Sequence, residues 1–154
     1  MLKVLKTRNI VLAVFLAVGT ALAFAPAHAA DAVEKVPGSM TPAEALEYMK
    51  NTPNLYILDA RPAEMHKQIS FVRSHNIPVA ELPGRMAEIP KDVPVMIHCR
   101  LGVNSRKVYP MIKEARPDIE ALSFIDGEPP FEAYNTWKAE KKAMKKKDQK
   151  NKKK

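Results

Sequence analysis

The sequence contains one cysteine, Cys99, within the stretch IHCRLGVNSR from Ile97 to Arg106. It closes the apolar run Val93-Pro94-Val95-Met96-Ile97 and precedes Ser105 to Glu114, where Val108, Met111 and Ile112 recur at helical spacing. A cysteine between strand and helix stands where open α/β sheets collect their ligands. The five residues Arg100, Leu101, Gly102, Val103 and Asn104 must curl the chain between the two elements, with Gly102 free to take a positive φ. Such a curl aims successive backbone N–H groups at its centre, forming a nest for an anion. The N-terminal end of the next helix adds its dipole, starting at Ser105, and Arg100 and Arg106 add charge. All of these favour thiolate over thiol and attract an anionic substrate, so the chemistry implied is nucleophilic attack by sulfur.

Two other roles for Cys99 compete with this one. A lone cysteine ending a core strand is often inert packing. As a metal ligand it lacks company: His66, His75 and His98 show no C-x-x-C or H-x-x-x-H spacing, so no metal site is expected. His98 points to the opposite face of the strand from its neighbour and reads as a packed core residue. One cysteine also rules out an internal disulfide or a C-x-x-C redox pair.

The elements that position the loop follow from patterning. Thr41-Pro42-Ala43-Glu44 combines a capping hydroxyl, a proline at the first helical position and a reciprocal carboxylate, predicting a helix to about Lys50. Leu55 to Leu58, Val93 to Ile97 and Ala121 to Ile125 read as buried strands. Short helices are expected over Pro62 to Gln68 and Glu81 to Met86, an extended passage at Asn76-Ile77-Pro78, and a last helix over Phe131 to Lys141. Buried strands separated by helices predict a single α/β domain with a mostly parallel central sheet flanked by helices.

Both ends differ from this middle. Lys3, Lys6 and Arg8 precede an apolar run from Ile10 to Phe24, followed by Ala27-His28-Ala29, which reads as a signal peptide over residues 1–29. An exported protein, soluble after cleavage and most naturally periplasmic, is the expectation. Residues 30–39 read as a linker and 40–140 as the folded domain. Lys141 to Lys154 holds nine Lys against one Asp and is expected to be a disordered tail or a fraying helical extension. Between Ala30 and Glu140 there are thirteen Lys and Arg against sixteen Asp and Glu, so the basic balance belongs to the tail. The tail suits solvation, an anionic membrane surface or an acidic partner. No specific nucleic-acid binding is expected, because no aromatics interleave with its lysines.

CRLGVNS resembles the active-site loop of the rhodanese-type sulfurtransferases, a cysteine followed by a short glycine-containing curl before a helix. LDARPAE, from Leu58 to Glu64, resembles that family's upstream region and marks Asp59 and Arg61 as supporting residues; Asn76-Ile77-Pro78 and the helix opening at Thr41 match as well. The resemblance implies a rhodanese-like α/β domain in which Cys99 takes sulfane sulfur from an anionic donor such as thiosulfate. It would hold that sulfur as a persulfide and pass it to cyanide or another thiophilic acceptor, with no cofactor. Arg100 to Asn104 would cradle the persulfide and Arg100 would steer the donor. The chain departs from the family pattern at Ile69 to Ser74 and at Asp126 to Phe131.

Two readings stand beside sulfur transfer. Cysteine phosphatases and arsenate reductases use H-C-x5-R, and His98-Cys99 and Gly102 fit it, with Asp59 as the candidate general acid. Here, however, Ser105 occupies the sixth place after the cysteine and Arg106 the seventh, which turns the guanidinium by ~100° around the helix. The other reading is a non-catalytic rhodanese-like module that carries sulfur or binds a partner.

Overall fold

The computed structural model describes residues 37–152. The signal-peptide reading of residues 1–29 and most of the linker lie outside the described residues. No helix among the described residues is long and apolar enough to cross a membrane.

Among the described residues five strands form one sheet: β1 (Ser39–Met40), β2 (Tyr56–Asp59), β3 (His75–Asn76), β4 (Val95–His98) and β5 (Leu122–Ile125). Their order is β1-β5-β4-β2-β3 and every pairing is parallel. The three central strands are buried on both faces, which explains why each reads as a continuous apolar run. The linker assignment thus runs too far by one residue: Ser39 belongs to an edge strand, too short to leave a pattern.

Helices α1 (Pro42–Asn51), α2 (Ala63–Gln68), α3 (Leu82–Arg85), α4 (Val103–Ala115) and α5 (Phe131–Asn151) connect and cover the strands, with a 3-10 turn over Met86–Glu88. Alternation along the strands divides the core in two. Leu58, Val95, Ile97 and Phe124 face Val108 and Ile112 of α4 together with Leu82 and Ile89. Ile57, Met96 and Ile125 face Ala45 and Met49 of α1, Tyr134 of α5 and Phe71. The capping box at Thr41 is complete, with the Thr41 amide donating to Glu44 at 2.8 Å and the Glu44 amide to the Thr41 hydroxyl at 3.3 Å.

Two helix boundaries differ from expectation by two residues or more. Helix α4 begins at Val103, two residues before Ser105, because Gly102 at φ +85° has already turned the chain. Helix α5 continues ten residues beyond Lys141, so the Lys-rich segment is a helical extension rather than a disordered tail through Asn151. Nothing after Pro130 breaks it: Ala, Lys, Met and Gln are all good helix formers. Like-charge pairs such as Lys138–Lys142, Lys141–Lys145 and Lys142–Lys146 oppose it by about 0.2–0.5 kcal/mol each.

Candidate active site

Cys99 follows the last residue of β4 and is buried, with 3% of its surface exposed. The chain reverses through Arg100, Leu101 and Gly102 into α4, so the loop is shorter than the five residues expected. Gly102 is the N-cap and has no side chain to accept a hydrogen bond from the first turn. The cysteine sulfur takes that place: the Ser105 amide, the third of the helix, donates to Cys99 Sγ at 3.4 Å. The Ser105 hydroxyl is fully buried and has no hydrogen-bond partner among the described residues. Burial pushes the Cys99 thiol up, but the Ser105 hydroxyl and the amides of Ser105, Leu101 and Asn104 outweigh it and hold the pKa below the ordinary thiol value. The sulfur is therefore a helix cap that is stronger as an anion.

Apart from the Ser105 hydroxyl, backbone rather than side chains builds this cradle. Leu101 and Val103 are 57% and 62% exposed, and Arg100 and Asn104 are also exposed. Gly102 is required twice over. Its φ lies in the left-handed region, and an added Cβ would sit 2.6 Å from the Gly127 amide nitrogen and 2.9 Å from Asp126 Oδ1. The turn after β5 is thus pressed against the cysteine loop.

Arg106 does not join the cradle. Its guanidinium donates to Asp126 Oδ2 at 2.6 Å, on the exposed flank of α4, so its charge is spent on a carboxylate. Asp126 was not legible as its partner, standing twenty residues away behind a strand.

Asp59 and Arg61 lie behind the loop, at the end of β2 beside β4, where Asp59 pairs in register with His98. Arg61 Nε and Nη2 grip the Asp59 carboxylate at 2.9 and 2.6 Å, Nη2 also donates to the Ile69 carbonyl, and the guanidinium lies 4.7 Å over the Phe131 ring. His66 Nδ1 meets Asp59 Oδ2 at 2.9 Å, and Asn76 donates to the carbonyls of Asp59 and Arg61. Burial pushes the Asp59 carboxyl up, but the Arg61 fork, with His98 and His66 nearby, holds it below the usual carboxylate range. Fully buried and clamped, Asp59 braces the strand ends and cannot deliver a proton to a leaving group above the loop. His98 is fully buried against Phe71 and Phe131. Neither of its ring nitrogens has a hydrogen-bond partner among the described residues, and Asp59 Oδ2 stands 3.7 Å from Nε2. Burial pulls its pKa down to about 4, keeping the ring neutral. Among the described residues no cluster of His, Cys, Asp and Glu could hold a metal ion.

A parallel five-stranded sheet with a lone cysteine in the loop after its central strand defines a class, and the chain belongs to it: residues 41–127 match the family of Rhodanese-like domains. No curated protein matches the chain. Among solved structures it is similar to a rhodanese-related protein of Thermoplasma volcanium, at 21% identity and TM-score 0.51, over 58% of this chain and 84% of that one. It is also similar to the single-domain sulfurtransferase RDL2 of Saccharomyces cerevisiae, at 17% identity and TM-score 0.50, over 62% of this chain and 87% of that one. Reduced CoADR-RHD of Bacillus anthracis shares 28% identity at TM-score 0.51, over 64% of this chain but only 16% of its own length.

Proposed function

We propose that the protein is a sulfurtransferase that moves sulfane sulfur from thiosulfate or a similar anionic donor to a thiophilic acceptor, cyanide or a thiol, through a Cys99 persulfide. The observation that carries this reading is the hydrogen-bonding of Cys99 Sγ by the first turn of α4, which favours the anionic sulfur despite its burial. The thiolate attacks the outer sulfur of thiosulfate; the new S–S bond forms as the old one breaks, and sulfite leaves with the electron pair. The negative charge now rests on the terminal sulfur of the persulfide, which the loop amides can accept as they accept the thiolate. The acceptor then attacks that terminal sulfur and Cys99 departs as thiolate, ready for another turn. Net proton balance is zero with cyanide, and no oxidant is consumed. Arg100, exposed and without an ion-pair partner among the described residues, is the charge that steers the donor.

The pairing of Arg106 with Asp126 and the clamping of Asp59 both weigh against phosphate chemistry, which needs a guanidinium at the oxyanion and a free general acid. The basic start followed by an apolar run supports export of the protein. The test is intact-mass analysis after incubation with thiosulfate. A gain of one sulfur atom on Cys99, absent in Cys99→Ser and discharged by cyanide as thiocyanate, is the expected result. Sulfur transfer surviving Cys99→Ser, or a phosphoryl adduct from an aryl phosphate in place of the persulfide, would overturn it.

A further inference from the structure

Helix α5 carries its lysines out from the domain on the side that faces the domain. Tyr134 and Asn135 mark that side: Tyr134 is buried, and the Asn135 side chain accepts from the Val72 amide at 2.9 Å and donates to the Ser70 carbonyl at 2.8 Å. At 3.6 residues per turn, Lys138, Lys141, Lys142, Lys145 and Lys146 continue the same face beyond the last contact with the body. The overhanging helix and the shoulder at Val72 and Arg73 enclose a groove of about 450 Å³.

The groove has three properties together. It gathers five lysines and Arg73, and no carboxylate lines it. None of these six cations has an ion-pair partner among the described residues. It also has an apolar floor, with Val72 44% exposed and the half-buried Trp137 ring, over which Lys138 Nζ lies at 5.3 Å.

We propose that this groove is a docking site for an acidic segment of another protein that carries an apolar side chain among its carboxylates. The like-charged lysines repel one another along the helix, so an occupant with carboxylates at matching intervals relieves a strain that the chain leaves uncompensated. The apolar floor takes the side chain that a bare polyanion lacks. Concavity separates this partner from a bilayer: a flat anionic surface meets the outward lysines Lys147 and Lys150, neither of which lines the groove.

Trp137 is the only tryptophan in the chain, so its emission reports occupancy of the groove directly. The full chain is titrated with a short peptide of glutamates around one central leucine, with its all-glutamine counterpart, with the glutamate peptide lacking the leucine, and with phosphatidylglycerol vesicles. A saturable change with the first peptide is expected, weaker without the leucine, lost with glutamine and weakened by salt. K142E/K145E/K146E should weaken binding by at least about tenfold, whereas K113E/K147E/K150E, with the same change of charge outside the groove, should leave it within about twofold. Equal losses in the two variants would overturn the proposal. So would vesicles that move Trp137 emission when the peptide does not.

Discussion

Acid should loosen this domain through His98, a residue that takes no part in sulfur chemistry. Its ring is fully buried between Phe71 and Phe131, its nitrogens have no hydrogen-bond partner among the described residues, and the 3.7 Å approach of Asp59 is the strongest influence that favours a charge. In the unfolded chain a histidine titrates near its ordinary value of about 6.5. In the fold His98 does so at about 4. The unfolded state therefore binds the extra proton throughout that window. Stability is whole above pH 6.5, declines as the pH falls, and has lost the full contribution below about pH 4, a total of about 3 kcal/mol. Between pH 7 and pH 5 the expected loss is about 2 kcal/mol. Urea unfolding at those two values, followed by far-ultraviolet circular dichroism, measures it. His98→Leu fills the same space with apolar atoms and should abolish most of that difference, while staying within about 1.5 kcal/mol of the parent at pH 7. Subtracting the variant's pH dependence removes every other titrating group from the comparison. The reasoning fails if the variant loses as much stability as the parent between pH 7 and pH 5.

Two substitutions probe the cysteine loop. Ser105→Ala removes the hydroxyl that does most to lower the Cys99 pKa and keeps the amide bond, so alkylation of Cys99 by iodoacetamide at pH 7 should slow by about threefold to tenfold; an unchanged rate would remove the hydroxyl from the account. Gly102→Ala must hold a left-handed φ and press a methyl group against the turn at Gly127, costing at least about 2 kcal/mol. A lower melting temperature and loss of sulfur loading from thiosulfate should follow, and an alanine variant that matched the parent in both would show that the loop closes some other way.

Sequence patterning conveyed the frame well because burial was nearly complete. Leu58, Ile97 and Phe124 stand in strands covered on both faces, so their apolar runs were unbroken, and Thr41 with Glu44 announced a helix start that the fold realises in full. The loop was readable because Gly102 and a strand-ending cysteine are local signals. What could not be read depends on pairings distant in sequence. Arg106 meets Asp126 only because α4 and β5 bring them together, and His98 faces Asp59 only through the register of β4 on β2. Of the two expectations for the Lys-rich segment, the helical extension is the one the fold realises through Asn151, because helix propensity outweighs charge repulsion where no residue stops the helix, a balance that patterning alone does not decide.

Among the described residues the sheet ends, on both sides, in strands of only two residues, β1 and β3, and Pro78 stands one residue beyond the second. Each edge offers too few free amides and carbonyls to template another chain, so the four-residue strands within are shielded from pairing outside the fold. Growth of the sheet from one molecule into the next is blocked at either rim. Contacts with a second macromolecule must therefore be made by side chains and helix surfaces, which can be charged, altered or lost without touching the ladder that holds Cys99 in place.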